Sequence, residues 1–201
     1  MEKPVLIAIH YQNDILHPDS KFHVGVDPLS NRRASVIDAA KRLLQGARAH
    51  KIPIIHARIA FRENHKDLIA NCALFDKIKV AAALLDESWG AEFYEGLEPL
   101  LEESVVTHIR NNAFFGTELQ PLIAKLGGTR LIFAGVATNY SVEHTARHAV
   151  DMGYHVSIVS DACTTGDPEL HEASLRTMAL LADIKTVDQI IAEVAINRSR
   201  Q

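Results

Sequence analysis

Short unbroken apolar blocks alternate along this chain with longer stretches whose apolar residues recur at helical spacing. The first block runs from Val5 to Ile9 without polar alternation, the pattern of a strand covered on both faces. Blocks at Ile52 to Ala57, with Pro53 near its start, Ser104 to His108, Leu131 to Ala134 and His155 to Ser160 predict four more strands, and Ile184 to Val187 a short sixth. Between the blocks, Ala34, Ile37, Ala40, Leu43, Leu44 and Ala47 stripe a helix over about Ser30 to His50. Leu119, Leu122, Ile123 and Leu126 stripe another, with Thr117 as its N-cap and Gly127-Gly128 ending it. A helix follows Tyr140, a further one covers Pro168 to Leu181, and a last helix leads to a polar tail, Asn197 to Gln201, expected to fray. Pro18 to Pro28 reads as a loop. Arg58 to Gly96 is irregular, a long excursion of the kind that covers a site.

This alternation, with no linker or internal repeat, is the signature of an α/β sheet. Its centre is Arg130 to Val150, where the apolar run Leu131-Ile132-Phe133-Ala134 breaks at Gly135. The knuckle Gly135-Val136-Ala137-Thr138-Asn139 turns the chain, and Val142, Thr145, Ala146, Ala149 and Val150 form the stripe beyond it. Tyr140 and Ser141 therefore start a helix at the carboxyl edge of a buried strand, where free N–H groups and the helix dipole favour an anion or a developing oxyanion.

With 201 residues, 47% hydrophobic and 23% charged, the chain is expected to form one domain over 1–201 with a substantial core. The formal charge of −4 is spread rather than blocked, which argues against a nucleic-acid partner and against a polybasic membrane anchor. The opening MEKPVLIAIHYQND has neither a signal-peptide core nor a membrane span, so a cytoplasmic protein is expected. Cys72 and Cys163 have no metal or disulfide-framework spacing, and no cofactor is called for.

LIAIHYQND at the first strand, VVTHIRNNAFFGTEL at the third, LIFAGVATNYSVEHTARHA at the fourth and VSDACTT at the fifth, together with WGAEF and PELHEASL, resemble the isochorismatase-like hydrolase family, also called the cysteine hydrolases. The resemblance covers almost the whole chain. It implies a doubly wound, six-stranded parallel sheet flanked by helices, with the site at the carboxyl ends of the strands, a small-molecule substrate, and assembly into a homo-oligomer, a dimer or tetramer. Family amidases carry an Asp after the first strand, a Lys after the third and a Cys in the helix after the knuckle. At those three positions this chain has His10, His108 and Ser141.

A serine hydroxyl needs a base within hydrogen-bond reach, and a neutral imidazole suits that task near neutral pH. His10 is the candidate base and Ser141 the candidate nucleophile. His108 would orient His10 or donate to the leaving group. Val136, Ala137 and Thr138 are the candidate oxyanion residues, and Tyr140, Phe114 and Phe115 a candidate aromatic wall for a small planar substrate. The expected reaction is hydrolysis of an amide, ester or enol-ether bond. The alternative is a catalytically silent member that binds a small molecule or a partner in the same pocket. A zinc site on His10, His56 and His108 is a further chemical option, which depends on the direction of His56 on its strand. Asp14 reads as a local cap and Cys163 as a buried structural thiol.

Overall fold

The computed structural model describes residues 2–22 and 32–199. Six strands form one fully parallel sheet: β1 (Pro4–Ile9), β2 (Ile54–Ile59), β3 (Ser104–His108), β4 (Arg130–Val136), β5 (His155–Thr164) and β6 (Asp183–Lys185), in the order β3-β2-β1-β4-β5-β6. Among the described residues the α-helices are α1 (Asn13–Leu16), α2 (Arg32–Ala49), α3 (Ala73–Val80), α4 (Leu119–Leu126), α5 (Glu143–Asp151), α6 (Pro168–Met178) and α7 (Val187–Ser199). The chain winds outward from β1 through β2 to β3, then returns to the middle and winds the other way through β4, β5 and β6. β1 and β4 therefore lie side by side at the point where the winding reverses. Crevices open at the carboxyl ends of such a strand pair, because the two connections leave in opposite directions.

All the central blocks are strands for the expected reason: Val5 to Ile9 and Arg130 to Val136 are buried along their whole length, and only a strand between two helical layers buries both faces. The boundaries shift where hydrogen bonds decide. Ile52 N–H still bonds Ala47 O at 2.8 Å, so it closes α2 and β2 starts at Ile54. β5 runs on through the expected exit loop, since a bulge lets Cys163 and Thr164 pair with Gly135 and Val136. α4 ends as the glycines suggest, with Gly127 at φ 67° and Gly128 N–H bonded to Ile123 O at 3.0 Å. Thr117 Oγ1 accepts from Leu119 N–H and donates to Ala113 O, a cap one residue before the formal helix boundary. α6 starts at Pro168 behind Asp167, whose carboxylate accepts from Glu169 N–H at 2.8 Å.

α3, inside the irregular excursion, is a helix that periodicity misses, because only Phe75 and Ile78 of its eight residues are buried. The expected loop beyond Phe22 and the first residues of the expected Ser30 helix lie outside the described residues. The tail expected to fray is helical as far as Ser199, and its last two residues also lie outside them. No helix of the described residues is long and apolar enough to cross a membrane.

Candidate active site

The crevice between β1 and β4 is built on two unusual backbone positions. Gly135 has φ 141°, and a Cβ there would lie 2.1 Å from Ile9 O, so only glycine lets β4 run this close to β1. His10, the first residue past β1, has φ 53° with its N–H bonded to Ala57 O at 2.8 Å. A β-strand geometry would carry His10 onward in the sheet; the left-handed turn instead swings it over the strand ends. A non-glycine residue in that region is held there by its surroundings, and such positions concentrate at functional sites.

After β4, the Val136–Ala137 peptide is cis and Ala137 O accepts from both Tyr140 N–H and Val142 N–H at 3.2 Å. The second bond spans five residues, so Thr138–Val142 is one wide π-turn before α5, a form common at functional sites. It brings Tyr140 and Ser141 to the crevice as the sequence implied. Thr138 points to the other side, where its hydroxyl meets His171 Nδ1 at 2.9 Å.

His10 and His108 meet although their strands are separated by β2. Their Nε2 atoms are 2.7 Å apart and their rings stack at 4.8 Å between centroids, both residues buried. His108 Nδ1 lies 2.6 Å from Arg110 O. A carbonyl oxygen only accepts, so in the neutral ring Nδ1 carries the hydrogen and Nε2 the lone pair. His10 Nε2–H then donates to that lone pair, and a second proton would enter at Nδ1, an uptake that the backbone hydrogen bond at Val136 favours. Burial pulls His10 well below the ordinary imidazole value of 6.5; His108 beside it acts in the same direction and a backbone hydrogen bond at Val136 opposes both. Burial likewise lowers His108 to about 4, against the Arg110 hydrogen bond. The pair is neutral at pH 7.

A cavity of about 20 Å³ lies beside the pair, lined by His10, Ser141, Val136, Ala137 and Tyr140, by Asn111, and by apolar side chains from Ile15 to Leu84. That is room for about one water. Ser141 is only 4% exposed, and among the described residues its hydroxyl makes no hydrogen bond to either imidazole. The excursion does cover the site: Leu74 and Ile78 of α3 and Leu84 close it.

Other expected members stand elsewhere. Phe115 is 66% exposed and Phe114 stacks on His148 at 5.2 Å; neither lines the cavity, because the loop after Arg110 bends toward α5, where Ala113 N–H bonds Thr145 Oγ1. His56 does not join the other two histidines. Its Nε2 pairs with Glu103 Oε2 at 2.9 Å, and among the described residues no group of three or more His, Cys, Asp or Glu is arranged to hold a metal. Cys163 is buried with its thiol pushed up to about 12, an inert packing group. Asp14 reaches further than a local cap, accepting from Leu84 N–H at 2.7 Å and Lys21 N–H at 3.1 Å. Gln12 clamps Ile59 through both its amide ends and donates to Ala91 O. Sequence reasoning missed Asn111, Ile78 and Leu84; their only signal is their place in the excursion and the loop after β3.

The family model described as "Isochorismatase domain" matches residues 4–189. The chain belongs to the isochorismatase family of hydrolases. An uncharacterized isochorismatase family protein of Bacillus subtilis is 28% identical over 171 residues, 85% of this chain and 88% of that one. Nicotinamidase 3 of Arabidopsis thaliana is 27% identical over 167 residues, 82% and 78% of the two chains. A cysteine hydrolase from Pseudomonas syringae superposes with a TM-score of 0.85 at 21% identity, covering 96% of this chain and 92% of that one, a likeness of fold. For this isochorismatase-family protein, the six-stranded parallel sheet and the reversal between β1 and β4 are thus the family's architecture, carrying a histidine pair and a serine.

Proposed function

We propose that this chain hydrolyses an amide, ester or enol-ether bond of a small molecule through His10, His108 and Ser141. The observation that carries the reading is the 2.7 Å contact between the two imidazoles beside a cavity that His10 and Ser141 line. For an amide or ester, His10 Nδ1 takes the Ser141 proton as the hydroxyl attacks the carbonyl carbon and passes it to the departing amine or alcohol as the C–N or C–O bond breaks, and water then hydrolyses the acyl-serine by the same route. The imidazolium formed in the first step keeps its Nε2–H on the His108 lone pair, and His108 is itself held by Arg110 O. His108 thus orients and stabilises the base, the task a carboxylate performs in a Ser-His-Asp triad. In this reading the oxyanion is stabilised by backbone N–H groups at the start of the π-turn. Hydrogen bonds of this kind are often open without substrate and close around it. The reading includes a cytoplasmic homo-oligomer that uses no cofactor.

The rival reading is a silent binder, and it is favoured by one feature: the Ser141 hydroxyl lacks the bond to His10 that would activate it. Replacing Ser141 by Ala separates the two. Loss of ~10³-fold or more in kcat/KM on an activated ester, with an unchanged melting temperature, is the outcome expected of a nucleophile. A fluorophosphonate should label the wild type and not the variant. An alanine variant as active as the wild type removes Ser141 from the reaction and leaves attack by water.

A further inference from the structure

The π-turn that carries Ser141 is a rare form, and its two bonds to Ala137 O are long, both 3.2 Å. What packs behind it therefore matters to its shape. On the side away from the cavity stands α6. Thr138 Oγ1 meets His171 Nδ1 at 2.9 Å, both residues buried. A threonine at a helix start commonly turns its hydroxyl back to the N–H two or three residues on; this one is directed to α6 instead. Three residues along α6, on the same face of the helix, Ser174 gives its hydroxyl proton to Glu143 Oε2 at 2.5 Å, and the same hydroxyl lies 3.4 Å from Thr138 O. Glu143 opens α5 directly after the turn, and its other carboxylate oxygen is paired with Arg147 at 2.7 Å.

Both ends of the turn are thus tied to one helix. That helix is itself well fixed, by the Asp167 cap at its start and by Leu175 and Met178 in the core. Ser141 sits between the two ties and lines the cavity on the opposite side. An attacking hydroxyl works only from a narrow range of positions, and a misplacement of about 1 Å can cost ~10²-fold in rate. We propose that His171 is a positioning residue: with Ser174 it holds the Ser141 turn from behind, through Thr138 and Glu143, in the geometry that attack needs. The catalytic part of the inference rests on the hydrolytic reading; the hold on the turn does not.

The test uses Thr138→Val, which keeps the shape and removes the hydroxyl, together with His171→Leu, their double variant, and His171→Asn, which returns a polar atom near the place of Nδ1. Rates on an activated ester are corrected for buffer, and melting curves check that each variant folds. Thr138→Val and His171→Leu should each lower kcat by ~10-fold or more and leave KM within ~3-fold, the split expected when transition-state geometry is lost. The double variant should lose no more than ~3-fold beyond the worse single one, because both remove the same bond. His171→Asn should recover most of the loss. Unchanged kcat in Thr138→Val despite a lowered melting temperature, or losses that multiply in the double variant, overturns the proposal. If the wild type does not turn over the ester above buffer, the hydrolytic reading fails for esters and the hold is read by amide exchange. Tyr140 and Val142 N–H should then exchange ~10-fold faster or more in Thr138→Val than in the wild type, with the sheet amides changed less; equal protection overturns the proposal.

Discussion

His10 shows how one residue's environment sets its chemistry. An ordinary imidazole titrates near 6.5, so the sequence alone puts the rising limb of a His-dependent rate at pH 6 to 7. Burial and the neighbouring ring move it down. The neutral, proton-accepting form then persists to lower pH, and the base is weaker when neutral. The expected kcat/KM profile is flat through pH 7 with its half-maximum below about 6, the limb reporting the coupled pair rather than either ring. A half-maximum at 6.5 or above would mean that the rings are solvated during turnover. Because His108 donates to Arg110 O and accepts from His10, it is not a proton donor in the neutral state, and no falling alkaline limb is expected from it.

At the level of elements, the site depends on the excursion that closes over it. The Asp14 carboxylate in α1 holds the segment after α3 through Leu84 N–H, and the same carboxylate fills the space a Cβ on Gly90 would need, 1.9 Å from its Oδ2. Hydrogen bonds to a charged group contribute about 1.5–3 kcal/mol each. Asp14→Ala should therefore destabilise the fold by roughly 2–4 kcal/mol and raise amide exchange in residues 73–85 ahead of the sheet. Unchanged protection of that segment would show that α3 is held by its apolar contacts alone. The excursion looked irregular in sequence because its order comes from these long-range bonds and not from periodicity. By contrast α4 and α5 were legible, since each carries its own stripe, and α4 its end signals as well.

For the whole molecule, buried neutral histidines link stability to pH. His10 and His108 titrate lower when folded than when unfolded, and His56 and His171 are shifted in the same direction, mainly by burial. As pH falls below 6.5 the unfolded chain takes up protons that the folded chain refuses, so stability is full above that pH and declines toward about 4. A fall in His108 from 6.5 to about 4 corresponds to about 3 kcal/mol at the acid end of that window. Glu103 and Glu193 are held at about 2 by Arg48 and Arg130, and their contribution is lost only at still lower pH, below about 4.5. The urea midpoint should be level from pH 9 to 7 and fall between 6.5 and 4, less steeply in His108→Asn. Equal midpoints at pH 8 and pH 5 would contradict the linkage.

The sequence by itself determined the sheet, the six strands, the helices with local stripes, and the knuckle at Gly135 to Asn139. Those features rest on information between near neighbours: apolar runs that need two covering layers, capping residues, glycines where the backbone must turn or approach closely. It also placed His10, His108 and Ser141 at the carboxyl ends of strands, with His108 expected on the strand next to that of His10, where the structure has β2 between them. Tertiary structure decided what neighbours in space decide. It joined His10 to His108 across β2 and fixed their tautomers through Arg110 O. His56 was given to Glu103, and Phe114 and Phe115 were carried away from the cavity by a loop whose course depends on Thr145. The wall came from Leu74, Ile78 and Leu84, residues with no local signal, because a cavity is lined by whichever segments the fold brings together.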